Sequence, residues 1–195
     1  MFLGEYNARK GFSHSATNNL IINFKKPLER KDRSEWRHKL RNIKIAANAL
    51  YNAFGNADLR SYTFVPVPPS KARANPLYDD RMMVMLGTLS KLFYQNRGYH
   101  LDVREMVKQT RNTVAAHETD TRPEPAALVA LYEIQQCMVS AAQDRIVICD
   151  DVLTTGCHFR AMEIVIMAAI PNATIYGMFL ARRVPETIDF QLFRF

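Results

Sequence analysis

The sequence predicts an α/β protein, with a mainly parallel central sheet flanked by helices on both faces. Three observations lead there. β-rich runs alternate along the chain with stretches of helical periodicity. Ile146-Val147-Ile148-Cys149 is continuously apolar, as a buried strand is. It runs into Asp150-Asp151, then a short loop of small and hydroxyl residues around Gly156, then an apolar helical stretch. In an open parallel sheet that sequence of parts delivers a ligand site beyond the carboxyl end of a strand.

The elements follow in order. Leu20–Phe24 suits a short strand, stopped by Lys25-Lys26-Pro27 because proline removes a ladder donor. Asp32-x-x-Glu35 has capping-box spacing. Trp36, Leu40, Ile43, Ala47, Leu50 and Phe54 then recur at steps of three and four, an amphipathic helix ending near Gly55. Ser61 to Val67 is a β-rich run, and the prolines of Pro66-Val67-Pro68-Pro69-Ser70-Lys71 hold the following backbone extended. Met82, Met85, Leu86, Leu89, Leu92 and Phe93 keep helical spacing, with the methionines as core fillers. Tyr99 to Val107 predicts a strand and Lys108 to Pro125 a polar loop of about 18 residues, a length that often marks a functional lid. A helix over 126–139, a strand over 145–149, a helix over 159–169, a strand over 173–180 and a tail from Pro185 complete the chain.

A chain of 195 residues suits one α/β domain with a small appendage. We expect a basic N-terminal segment, 1–60, packed on a core domain, 61–195. With 48% apolar residues, no apolar run near the ~20 residues of a membrane span and no signal-peptide core, a cytoplasmic protein is expected. Cys137, Cys149 and Cys157 are odd in number and lack Cys-x-x-Cys spacing, which suits reduced thiols and offers no zinc set. The net charge of +7 lies wholly in residues 1–45, where eleven Lys and Arg face four Asp and Glu. Arg37, Arg41 and Lys44 share one flank of the first long helix. That flank is either a solvated helix side or a surface for single-stranded nucleic acid or an acidic partner.

The residues at 150–158 suit a phosphorylated sugar. Ionised carboxylates accept only, so Asp150 and Asp151 match ribose hydroxyls or the waters of a bound Mg²⁺. A phosphate needs donors instead. The backbone N–H groups at Thr155, Gly156, Cys157 and His158, at the opening of a helix, supply them, and the hydroxyls of Thr154 and Thr155 add more. His158 is either a phosphate-facing imidazolium or an ordinary loop histidine.

This run resembles the phosphoribosyl-diphosphate (PRPP) signature of the type I phosphoribosyltransferases, and the chain as a whole is similar to their ComF-type branch. The likeness rests on Phe24-Lys25-Lys26, Val65-Pro66-Val67-Pro68, Arg111-Asn112-Thr113, Asp150-Asp151-Val152-Leu153-Thr154-Thr155-Gly156 and Leu180-Ala181-Arg182, spanning residues 24–182. It implies the type I phosphoribosyltransferase fold, with Mg²⁺ as cofactor and Asp150 and Asp151 holding it through water. It also implies a diphosphate loop with Pro68, Ser70, Lys71 and Arg73 as binding residues, and a lid carrying Lys108, Arg111 and His117. The implied reaction displaces diphosphate from the ribose anomeric carbon by a nitrogen nucleophile, the acceptor being unassigned. The resemblance equally implies a second role, a PRPP- or nucleotide-sensing accessory or antitoxin-like subunit of a helicase-linked DNA uptake or defence system. Homodimers are common in the family. A third role is a domain acting only through protein contacts, which the retained carboxylates and Thr-Thr-Gly loop disfavour. The chain departs from the pattern in three ways. It has no four-cysteine zinc module, His158 stands where the loop usually closes with Thr or Ser, and Thr154 stands where 6-oxopurine enzymes carry an Asp proposed as the base.

Overall fold

A computed structural model describes residues 1–112 and 124–184. Its strands are β1 (Phe2–Tyr6), β2 (Tyr62–Pro66), β3 (Asp102–Val103), β4 (Val107–Gln109), β5 (Tyr132–Ile134), β6 (Arg145–Leu153) and β7 (Thr174–Arg183). Its helices are α1 (Ala16–Phe24), α2 (Trp36–Phe54), α3 (Arg81–Arg97), α4 (Pro125–Val129), α5 (Gln136–Val139) and α6 (Cys157–Ala169). The main sheet has the order β1-β7-β6-β2-β3, and every pairing in it is parallel. The second sheet is the antiparallel pair β4–β5.

The apolar run of β6 works because both of its faces are covered. Val147 and Cys149 meet Phe64, Phe24, Leu50, Met85 and Phe93 in a core beneath α1, α2 and α3. Ile146 and Ile148 point the other way and pack with Val65, Leu128, Met162 and Ile166 beneath α4 and α6. The period-2 alternation of a strand thus feeds two separate cores. The chain leaves β2 towards β3 on one side and β6 towards β7 on the other. The strand order therefore reverses between β2 and β6, and the crevice at their carboxyl ends is where open α/β sheets bind ligands.

The N-terminal segment is part of this architecture. β1, for which no strand was expected, forms one edge of the sheet against β7, with Phe2 opposite Phe179 and Tyr6 opposite Arg183. Residues 20–24 are the second half of α1 and not a strand. Ser15 caps that helix by accepting from the Asn18 amide, and Asn18, Ile21 and Phe24 bury one face at a step of three. The β-branched Ile21-Ile22 pair suggested a strand, and tertiary packing overrode it.

Other expectations are corrected in the same way. Glu35 does not close a capping box; its carboxylate binds Arg30 at 2.8 Å, and α2 has no side-chain cap. Leu40 is half-exposed while Lys39 is buried in its place. Residues 99–107 form the short β3 and the start of β4, separated by Arg104-Glu105-Met106. The single helix expected over 126–139 is broken by β5, because Tyr132-Glu133-Ile134 pairs with Gln109-Lys108-Val107. Residues 113–123 of the expected loop, and the tail from 185, lie outside the described residues. Among the described residues no helix is long and apolar enough to cross a membrane, and all three cysteines are free thiols.

Asn18 ties the loop after β1 to α1. Fully buried, it accepts from the Asn7 amide at 3.1 Å and donates to the carbonyls of Asn7 and Lys10, each at 2.9 Å. Asn18→Ala strands these groups and is expected to destabilise the protein by about 1–3 kcal/mol. Urea denaturation measures this, and an unchanged midpoint would count against Asn18 as the anchor of the loop.

Candidate functional site

β6 ends in the two carboxylates, and the loop that follows turns on Gly156. Its φ of +81° lies in the left-handed region, where glycine avoids the Cβ clash. Gly156 is the N-cap of α6, and the Arg160 amide closes the first helical turn on its carbonyl at 2.9 Å. The amides of the first turn thus face outward from the helix end without intrahelical partners. Across the crevice, the Val67 amide donates to Cys149 O at 2.8 Å, which carries the pairing of β2 with β6 past the strand end. Pro68-Pro69-Ser70 then turns away. Between the two loops lies a cavity of about 560 Å³.

The sequence-derived candidates divide clearly. Asp150, Asp151, Thr154, Thr155, Cys157 and His158 line the cavity, as do Pro68 and Ser70. Lys71 and Arg73 do not line it. Arg73 is exposed, ion-paired with Glu105 and stacked over Tyr78. Lys108 belongs to β4, where its ammonium binds the Gln135 side chain, and Arg111 is exposed beyond the strand. Neither Lys108 nor Arg111 reaches the cavity wall, and His117 lies outside the described residues. Arg37, Arg41 and Lys44 are exposed together on α2 and are separate from the cavity lining.

The cations at the cavity come from elsewhere. Lys25, at the end of α1, and Arg81, at the start of α3, both bind Asp151. Lys25 Nζ is 3.2 Å from Asp151 Oδ1, and Arg81 Nη2 and Nε are 2.6 and 3.1 Å from Oδ2. Arg81 also donates to Asp79 at 2.8 Å, and the buried Lys39 donates to Asp79 at 2.6 Å and to Lys26 O at 2.8 Å. Charges therefore alternate from α2 through α3 to β6 and α1. Sequence reasoning left Arg81 out. The one local signal was its position, since a cation in the first turn of a helix opposes the helix dipole and calls for nearby carboxylates.

The network sets the two acids apart. Burial opposes ionisation of Asp151, but Lys25 and Arg81 outweigh it and hold that carboxyl below the usual range. Asp150 has no ion pair among the described residues; one of its oxygens accepts from the Asp151 amide at 2.8 Å. Burial, together with the negative charge of Asp151, pushes Asp150 up to about 7. His158 is held differently from either expectation. Its Nδ1 is 2.7 Å from the Tyr132 hydroxyl, and burial lowers its pKa against the opposing pull of Asp151, which favours the uncharged ring over an imidazolium.

Among the described residues no group of three or more His, Cys, Asp or Glu side chains could hold a metal directly. Five carboxylates nevertheless line the cavity against three cations, and Asp150 and Asp80 are the two without an ion pair among the described residues. That donor set fits Mg²⁺ held through its own waters and a ligand's phosphates, because this ion keeps much of its hydration shell.

No protein-family model matches the chain, and no curated protein matches it with significant similarity.

The raised pKa of Asp150 has a direct consequence for stability. The folded protein binds a proton that the unfolded chain has lost, between about pH 4 and pH 7. The favourable contribution is complete below the ordinary carboxyl range and is lost as pH rises through 7. Asp150→Asn is therefore expected to raise the Tm of the metal-free protein more at pH 8 than at pH 5. Thermal melts at the two pH values check this, and equal shifts would contradict it.

Proposed function

We propose that the cavity binds PRPP, or a nucleotide carrying a ribose 5-phosphate, together with Mg²⁺, and that the domain has the type I phosphoribosyltransferase fold. The observation that carries this reading is the Gly156-centred helix opening placed a few residues after the Asp150-Asp151 pair at the reversal point of the sheet. The loop amides and the hydroxyls of Thr154 and Thr155 receive the 5-phosphate. Asp150 accepts from the ribose hydroxyls or from the waters of Mg²⁺. Asp151 holds Lys25 and Arg81 at the cavity wall, and those two cations take the part assigned to Lys71 and Arg73 in facing the diphosphate. An excess of carboxylates around a polyanionic ligand makes the divalent ion a requirement, because without it like charges would meet in a partly desolvated space.

In a transfer reaction the chain's own groups would position PRPP, stabilise the leaving diphosphate through Lys25 and Arg81, and limit water around the anomeric carbon. A second reading, sensing without transfer by a helicase-linked accessory or regulatory subunit, is favoured by one feature. Two of the titratable groups at the cavity are tied into fixed pairs, Asp151 with its two cations and His158, in the first turn of α6, with Tyr132. In that role the exposed Arg37, Arg41 and Lys44 flank is the surface for a nucleic-acid strand or an acidic partner.

Calorimetry with PRPP and Mg²⁺ tests the shared claim. Saturable binding is expected, weakened about 10- to 100-fold by Asp150→Asn, the loss expected for a hydrogen bond to a charged group. No heat with the wild type, or equal affinity in the variant, would remove the reading. Diphosphate release across a panel of bases and amines then separates the two roles: release supports transfer, and tight PRPP binding without release supports sensing.

A further inference from the structure

The antiparallel pair β4–β5 touches both ligand loops through one pair of facing residues. Gln109 and Tyr132 stand directly opposite each other in its register. Gln109, nearly fully buried, donates from Nε2 to the Ser70 carbonyl at 2.7 Å, in the proline loop. Tyr132, also buried, places its hydroxyl 2.7 Å from His158 Nδ1, in the first turn of α6. Two loops far apart in sequence are thus tied to one rung of a small ladder.

The chemistry of the second tie is specific. Burial, reinforced by the charge of Asp150, raises the Tyr132 hydroxyl well above its ordinary range, so it keeps its proton. An imidazole nitrogen accepts more readily than a phenol oxygen, which favours the hydroxyl donating to Nδ1 and the ring proton sitting on Nε2. The groups around His158 are Tyr132 on β5, Asp150 and Asp151 on β6, and Lys25 at the end of α1. Asp151 favours a charged ring, while Lys25 and burial oppose it. Nε2 has no hydrogen-bond partner among the described residues, and His158 lines the cavity.

We infer that Gln109 and Tyr132 form a positioning clamp that fixes the spacing of the two ligand loops, and that Tyr132 holds His158 as a neutral ring whose Nε2–H donates to the phosphate bound at α6. The inference rests on the ribose-5-phosphate reading of the cavity. It assigns His158 the donor role of the hydroxyl that a Thr or Ser would bring, and it makes both Gln109 and Tyr132 positioning residues.

Long-range ¹H–¹⁵N spectra of the histidine rings, with His158→Gln to assign the signal, read the tautomer directly. The expected wild-type result is a neutral ring protonated on Nε2, with mixed tautomers in Tyr132→Phe. Calorimetry supplies the functional arm. Tyr132→Phe is expected to weaken ribose 5-phosphate about tenfold, with no further loss when introduced into His158→Thr. Gln109→Leu is expected to weaken PRPP more than ribose 5-phosphate, because only PRPP extends to the proline loop. A wild-type ring protonated on Nδ1, which needs no variant to detect, would overturn the inference. So would unchanged ribose 5-phosphate affinity in Tyr132→Phe, with the functional reading left standing. A wild type that binds neither ligand would remove that reading and the donor role together.

Discussion

The buried carboxylate of Asp151 is the constraint on which the cavity depends. An isolated charge at the end of a central strand is costly, and breaking a buried pair strands the other partner. Here Lys25 and Arg81 meet it from two helices, Arg81 is shared with Asp79, and Lys39 reaches Asp79 from a third helix. Removing any one cation leaves its neighbour with unbalanced charge, so the ends of α1 and α3 are pinned to β6 by electrostatics as well as by packing. The same pinning draws the cavity wall: α1 brings Ile22 and Lys25 to it, and the start of α3 brings Arg81 and Met82.

The consequence for function is a division of labour between adjacent acids. Asp151 is committed to the protein, and Asp150, without an ion pair among the described residues, is the acid the proposed reading gives to a ligand or its metal ion. Two adjacent aspartates become chemically unequal because only Asp151 pairs directly with the cations. The helix opening at Gly156 contributes the opposite polarity a few residues later. Acceptors and donors, the set that the proposed phosphorylated sugar needs, therefore lie on one short segment, and the sheet holds that segment against the proline loop of β2.

Legibility in the sequence followed the range of the interactions. The strand–acid–loop–helix segment, the end of α2 at Gly55 and the apolar face of α3 were readable because each depends on neighbours within a few residues. β1 was not, since its five residues become a strand only by pairing with β7 across almost the whole chain. The helix expected over 126–139 failed for the same reason: β5 exists because β4 is beside it. Asp150, Asp151, Thr154, Thr155, Cys157 and His158, which line the cavity, were picked out by local pattern, while Lys71 and Arg73 were expected from the resemblance of the proline segment to a diphosphate loop and do not line it. The two wall cations that bind Asp151, Lys25 and Arg81, lie 126 and 70 residues from it, beyond anything spacing can report.

The central claim is that the opening of α6 is a phosphate site. It is tested most directly by titrating ribose 5-phosphate into ¹⁵N-labelled protein and following the backbone amides. The account predicts saturable shifts concentrated at Thr155, Gly156, Cys157, His158 and Phe159. Amides there that stay still, while others move or nothing moves, would contradict it.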